Sequence, residues 1–364
     1  MNLRDLLTSP ISDLPRKRDP KLSLSDQLAG MYADFVGALE TLDSADPICK
    51  PVQQELKLIK KASRYIRSAV DAYLNGFPYK AYEHLLKALK LLEPFLDKLK
   101  VPRNKLDNLY RVREVDTLAD RERKDLFHVP FELRHRVRTQ RYSISGWPSL
   151  YLGASLLVCW EEVGRPAFHT LSVAAFSAKG NVSVLDFGYR PAVAVDLHER
   201  DGFFTKQQMT SYVVCWPLLA ACAFRVQHRG ESFIEEYIIP QLLLQWLRNK
   251  AKGIDGLRYF STHVEQSSFA PWLAINYVFP VKTQAHDGYC AELTKKFELT
   301  LPVPWILLDG IELKTMGTQR TDTPYVLNPE LLLNYDDTVF KKLEDRINSN
   351  QMLKATLKVA PGAK

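Results

Sequence analysis

From residue 25 to residue 102, apolar positions recur at the period of helices that bury one face. Leu28, Met31, Tyr32, Phe35, Leu39 and Leu42 form the first stripe, with Ser25 as its N-cap. After Pro51, a second stripe holds Leu56, Ile59, Tyr65, Ile66, Ala69, Val70 and Tyr73, and Gly76 suits the C′ position that ends it. A third starts near Pro78, carries Tyr82, Leu85, Leu86, Leu89, Leu92 and Leu96, and stops before Val101 and Pro102. Amphipathic helices with such short connections predict a helical bundle over residues 23–102. Residues 1–22 are polar and punctuated by Pro10, Pro15 and Pro20, which predicts a loosely ordered arm.

Beyond residue 102 the period shortens. Short apolar or alternating segments predict strands at Asn108–Arg113, Leu150–Gly153, Leu171–Phe176 and Val182–Phe187, the last two separated by a Gly180-Asn181 turn. Between them, Ala154–Glu162 has helical spacing, with Ser155 placed to cap it. Pro191–Val195 reads as a strand or loop, Tyr212–Phe224 as a buried helix, and Phe233–Trp246 as an apolar helix that kinks or restarts at Pro240. Gly256–Thr262 predicts a strand ending in hydroxyls, and Asn276–Pro280 a further strand. Edge strands are expected within Leu299–Leu313, then one or two helices from Asn328 carrying Leu331, Leu332, Leu333, Phe340, Leu343 and Ile347, and a disordered tail over 360–364. The class is α+β, a helical bundle followed by a mixed α/β domain.

Composition narrows the setting. No run of about 18 apolar residues occurs and the N-terminus lacks the apolar region of a signal peptide, so a cytoplasmic protein without membrane contact is expected. The five cysteines include no Cys-x-x-Cys pair, which suits reduced thiols and speaks against a disulfide scaffold or a zinc ribbon. A net charge of +7 invites a nucleic-acid reading. Against it, Lys57, Lys60, Lys61, Lys87 and Lys90 are spread over solvated helical faces and no nucleic-acid-binding signature is present, so nucleic acid is not the expected partner. No phosphate-binding glycine loop and no metal-ligating motif is found, so no metal and no cofactor are expected.

The chemistry concentrates between Arg141 and Glu162. Gly146 to Pro148 is turn chemistry, and the helix that follows ends in adjacent carboxylates, Glu161 and Glu162, which point about 100° apart. One of them can face a cleft while the other meets solvent. Arg141, Tyr142, Gly146, Pro148, Tyr151, Gly153, Ser155 and Glu162 fall without a gap on the core pattern of the RES domain family, which this stretch resembles. The register selects Glu162, and the alternative is Glu161. Two departures mark a divergent branch: Gln140 and Ser143 flank the arginine where the family has Gly and Asn, and Gly153 stands where it has Ala. The resemblance extends over roughly residues 108–280. Within it, Arg111 after Tyr110 takes the place of the family's first arginine, and Ser261 at the end of the Gly256 strand that of its serine.

What the resemblance implies is an ADP-ribosyltransferase-like fold that degrades NAD+ as a toxin, by hydrolysis or phosphorolysis. NAD+ is then substrate, not coenzyme. Glu162 would stabilise the oxocarbenium-like ribose, Arg111 and Arg141 would hold the pyrophosphate, Tyr142 or Tyr151 would contact the nicotinamide riboside, and Ser261 would bond the amide or ribose. The catalytic domain would span 103–285, with 286–364 an extension packed on it. Helical N-terminal domains of RES proteins are sometimes related to the HEPN class; here His84 has no arginine at the ribonuclease spacing, and the bundle reads as a regulatory or interaction module. His128, beside a proline, reads as structural. The partners in view are a separately encoded Xre-like antitoxin and a second copy of the chain in a homo-oligomer. Two other readings use the same residues: transfer of ADP-ribose to a macromolecule, or a non-catalytic partner- or nucleic-acid-binding surface built on the arginines between Arg103 and Arg141.

Overall fold

The computed structural model describes residues 1–103, 106, 108–114, 122–228, 230–249, 251, 253–264, 270–305, 335–349 and 355–357. In chain order its helices are α1 (Leu3–Thr8), α2 (Leu24–Glu40), α3 (Cys49–Gln54), α4 (Leu56–Leu74), α5 (Pro78–Leu96), α6 (Leu156–Glu162), α7 (Pro191–Asp201), α8 (Lys206–Val214), α9 (Trp216–Cys222), α10 (Ile238–Asn249), α11 (Ala291–Lys296) and α12 (Val339–Ser349). The strands are β1 (Lys100–Arg103), β2 (Leu109–Glu114), β3 (Ser149–Gly153), β4 (Leu171–Ala178), β5 (Val182–Phe187), β6 (Gly256–Phe260), β7 (Ile275–Pro280), β8 (Phe297–Leu299), β9 (Val303–Pro304) and β10 (Ala355–Thr356). The class is α+β with a helical N-terminal region, as expected. The domain division differs from the expected one. One unit gathers Met1–Val101, Arg138–Ser145 and Val184–Ile254, the other Pro102–Val137, Gly146–Ser183 and Asp255–Lys364. Residues 103–285 therefore do not form one contiguous domain: Arg138–Ser145 and Val184–Ile254 return to the helical unit.

In the first unit the N-terminal residues are ordered, which corrects the expected loose arm. Leu3, Leu6 and Leu7, at i, i+3 and i+4, give α1 an apolar face, and all are buried along with Leu14. Asn2 caps α1 in a capping box with Asp5. Helix α2 starts two residues earlier than the pattern suggested: Ser23 is its cap, and Ser25 is buried, accepting a hydrogen bond from Arg67 Nε at 3.0 Å. Gly76, at φ +82, turns the chain between α4 and α5, where a side chain would be strained. Phe35 of α2 stacks on Trp216 of α9, ring centroids 3.9 Å apart, at the centre of this core.

Pro191, read as opening a strand or loop, instead opens α7, at a helical position where no N–H is needed. The buried helix expected over Tyr212–Phe224 is two helices: α8 ends at Cys215 and α9 restarts there, with Pro217 in its first turn. Pro240 lies in the first turn of α10, so the helix begins near that proline and does not kink at it.

The second unit is built on antiparallel strands in the order β6-β7-β3-β2-β4-β8-β10, with β9 also on β4. The strand pleat sends alternate residues to opposite faces. One face carries Tyr110, Val112, Leu171, Val173 and Ala175, which pack with Leu157 and Val158 of α6 and with Phe340, Leu343 and Ile347 of α12. The other carries Phe176, Phe279 and Phe297, with Phe127 beside Phe176. Of the expected C-terminal elements, β8 and β9 fall within Leu299–Leu313 or at its edge, and Phe340, Leu343 and Ile347 are buried as expected. Residues 306–334, including Leu331, Leu332 and Leu333, and the tail 360–364 lie outside the described residues.

Candidate active site

Ser155 fixes the start of α6 in two directions. Its Oγ accepts from the Val158 N–H at 3.1 Å, the N-cap bond expected from the sequence, and donates to the Leu273 carbonyl at 2.7 Å. The Ala154 N–H reaches the Ile275 carbonyl at 2.8 Å. Helix α6 is thereby tied to the segment that enters β7. Its approach to the sheet is close, because a Cβ on Gly153 would lie 2.6 Å from both Cys159 Sγ and Val158 Cγ1. A third tie comes from α12: Glu344 is buried and accepts from the Leu156 N–H at 2.7 Å and from the Tyr335 hydroxyl. Burial pushes the Glu344 carboxyl up to about 7, and the Tyr335 and Leu156 donors act against the rise.

So anchored, α6 delivers its last residue to the ends of β6 and β7. Glu162 Oε1 accepts from Ser261 Oγ at 2.6 Å and from Asn276 Nδ2 at 2.7 Å. Its Oε2 lies 3.5 Å from His263 Nε2, and the Glu162 side chain keeps 29% of its surface accessible, that of His263 15%. The His263 N–H donates to Ser261 Oγ at 3.2 Å, and the Ser261 N–H to the Ala274 carbonyl at 2.7 Å. Asn276 pairs in register with Gly153 of β3 and Tyr259 of β6. Ser261 and Asn276 are themselves buried. The result is a carboxylate with one oxygen fixed by neutral donors and the other beside an imidazole, at an accessible edge.

Glu161 takes the opposite role. About 100° around the helix, it is buried, and its Oε2 pairs with Arg165 Nε at 2.8 Å, one turn on. Glu162 is thus the carboxylate brought to Ser261. The Ser261 hydroxyl donates to Glu162, so in this arrangement the serine supports the carboxylate.

Arg111 is not brought to Glu162. Its neighbours in the strand, Tyr110 and Val112, belong to the α6 face, so Arg111 points through the pleat to the other face, opposite Ala174. It lies within electrostatic reach of Arg113 and His128, and of Tyr151 and Cys159. Its Nη1 is buried without a hydrogen-bond partner. Burial, and then the like charge of Arg113, push it well below the usual guanidinium range; since a guanidinium stays charged in proteins, this is a standing cost. His128 is structural, as expected: Nδ1 meets the Val129 carbonyl at 2.7 Å, Nε2 accepts from the Cys290 N–H at 2.9 Å, and burial lowers it to about 4.

Arg141 and Tyr142 belong to the first unit. Arg141 is buried, donating to the Cys222 carbonyl at 3.0 Å and the Phe224 carbonyl at 2.7 Å, with its guanidinium 5.1 Å from the Tyr237 ring centroid. It closes the C-terminus of α9, where carbonyls lack helical partners and the helix dipole favours a cation. Tyr142 is buried and hydrogen-bonds the Cys222 thiol. Tyr151 is half-buried on β3, in register with Val278, and by the pleat shares the face of Gly153 and Asn276.

All five cysteines are unpaired and buried. Among the described residues no cluster of three His, Cys, Asp or Glu is placed to hold a metal ion, and no helix is long and apolar enough to cross a membrane. Two site residues were missed in the sequence: Asn276, although its place at the head of a strand was noted, and His263, two residues after Ser261.

A carboxylate at the ends of β6 and β7, held by serine and asparagine, defines the candidate site. The chain is 29% identical over 310 residues to Putative toxin YopC of Bacillus subtilis (strain 168), covering 80% of this chain and 68% of that protein. No family model and no solved structure matches the chain.

Proposed function

We propose that this chain is a toxin that cleaves the nicotinamide N-glycosidic bond of NAD+. The observation that carries the reading is Glu162: its Oε1 is fixed by Ser261 and Asn276 while the side chain stays accessible. A preorganised carboxylate of this kind is suited to a positive ribosyl centre, because its dipolar support is already in place when charge develops. The resemblance of Arg141–Glu162 to the RES family supplies the substrate, and the toxin-named relative supports the biological role. Depletion of NAD+ would arrest growth or block phage, acting in the cytoplasm and held in check by an antitoxin protein. On this reading Tyr151, on the face of Asn276, contacts the nicotinamide riboside. Neither arginine stands beside the carboxylate: Arg141 is committed to backbone carbonyls and Arg111 lies on the sheet face opposite Glu162, so the residue that would meet the pyrophosphate is left unassigned.

The non-catalytic surface reading is less well supported, because several of its arginines are engaged with backbone carbonyls. Arg113 donates to the Phe127 carbonyl, Arg123 to that of Leu299, Arg134 to that of Phe131, and Arg141 to those of Cys222 and Phe224. Those arginines serve the fold. Incubating purified protein with NAD+ tests the proposal: wild type should release nicotinamide, and Glu162→Gln should be slower by roughly 100-fold or more. NAD+ left intact by folded wild-type protein refutes it, and label from NAD+ captured on a macromolecule would turn the reading to ADP-ribosyl transfer.

A further inference from the structure

We propose that His263 is the general base that takes a proton from an acceptor water, which makes the reaction a hydrolysis; this rests on the NAD+ reading of Glu162. The carboxylate is asymmetric. Oε1 accepts from both Ser261 and Asn276, whereas Oε2 faces the His263 imidazole at 3.5 Å. A single water can stand about 2.8 Å from both Oε2 and Nε2, within hydrogen-bond reach of each. With Nε2 unprotonated, both atoms are acceptors, so the water's two protons point at them and its lone pairs face away, towards a ribose held against the carboxylate. The His263 main chain is fixed as well, through its N–H on Ser261 Oγ at 3.2 Å. Ser261 thus links the His263 main chain to the carboxylate.

The step balances without a further reactant. The C1′–N bond breaks with its electron pair passing to the pyridinium nitrogen, which leaves as neutral nicotinamide. The water oxygen bonds C1′, and its proton goes to His263 Nε2 and then to solvent, giving ADP-ribose. Inorganic phosphate arrives already anionic and gains nothing from a base.

An anionic acceptor separates a base from a structural residue. The test compares wild type, His263→Ala and His263→Gln for nicotinamide release in water and in sodium azide, with thermal stability measured on each. In water both variants should be slower by roughly 100-fold or more, with KM within about twofold of wild type. Azide, which needs no deprotonation, should restore release and appear as the azide adduct of ADP-ribose. Glutamine fills the site without taking a proton, so His263→Gln should stay slow and azide-dependent even where His263→Ala is less stable. Either variant turning over like wild type in water overturns the proposal, as does a stable, slow His263→Gln that azide does not accelerate, or a ribosyl phosphate as the wild-type product in phosphate. Wild type inert towards NAD+ removes the underlying reading and this one with it, whereas an active wild type with an unaffected His263→Gln removes this one alone.

Discussion

Replacing Glu344 by glutamine should remove a pH dependence from the packing of α6. The carboxyl is buried, pushed up from 4.5 to about 7 by desolvation. A raised folded-state value means that the folded form binds the proton more tightly than the unfolded chain does. The associated stability is therefore complete below about pH 4.5, declines as pH rises, and is gone above about pH 7. A shift of that size corresponds to about 3 kcal/mol at 1.36 kcal/mol per unit. Glutamine keeps an oxygen for the Leu156 N–H and the Tyr335 hydroxyl and does not titrate, so the stability of wild type relative to Glu344→Gln should fall by about 3 kcal/mol across that window. With two units in the chain, one global unfolding free energy is poorly defined, and amide hydrogen exchange of α6 and α12 against pH is the suitable assay. A difference between the proteins that is flat with pH, or that grows in favour of wild type as pH rises, refutes the reasoning.

Other outcomes follow from the same packing. Gly153→Ala would place a methyl 2.6 Å from Cys159 Sγ and Val158 Cγ1 and should cost about 1–3 kcal/mol; an unchanged melting temperature contradicts this. Arg141→Ala strips two carbonyls of their donor and should destabilise the first unit by about 2–4 kcal/mol in urea, whereas unchanged stability with a raised KM for NAD+ would return Arg141 to a phosphate-binding role. Arg111→Met removes a buried cation with an orphaned Nη1 and should leave stability unchanged or raise it by about 1 kcal/mol, and a clear loss in thermal denaturation would show an unseen partner.

Local signals were legible where one element carried them. Ser155 as the cap of α6, the apolar stripe of α2, and the hydroxyl-ended strand at Ser261 all follow from spacing within a few residues. Adjacent helical residues diverge by about 100°, so the two carboxylates had to differ in environment, but that spacing does not say which of them meets Ser261; the choice of Glu162 rests on the register of the Arg141–Glu162 motif. Arg141 shows where this fails. The residues it binds are 81 and 83 positions away, at a helix end that local pattern does not connect to it. Arg111 fails for a related reason: the pleat that buries Tyr110 and Val112 under α6 turns the arginine between them to the other face, a consequence of register and not of motif. In residues 1–22 the prolines signal an arm, but Leu3, Leu6 and Leu7 at i, i+3 and i+4 carry the stronger signal of α1. Pro191–Val195 carries no local signal that separates strand from helix, and the proline suits the first turn of α7. His263 carried one signal, its place two residues beyond Ser261, which puts its N–H on the serine oxygen.

The central claim is destruction of NAD+ through Glu162. Intracellular NAD+ measured after induced expression, with growth followed in parallel, tests it most directly. Wild type should deplete NAD+ and arrest growth, and Glu162→Gln, expressed to the same level and folded, should do neither. Depletion by the mutant equal to that by wild type would contradict the assignment of Glu162, and unchanged NAD+ with growth arrest by wild type would contradict the chemistry itself.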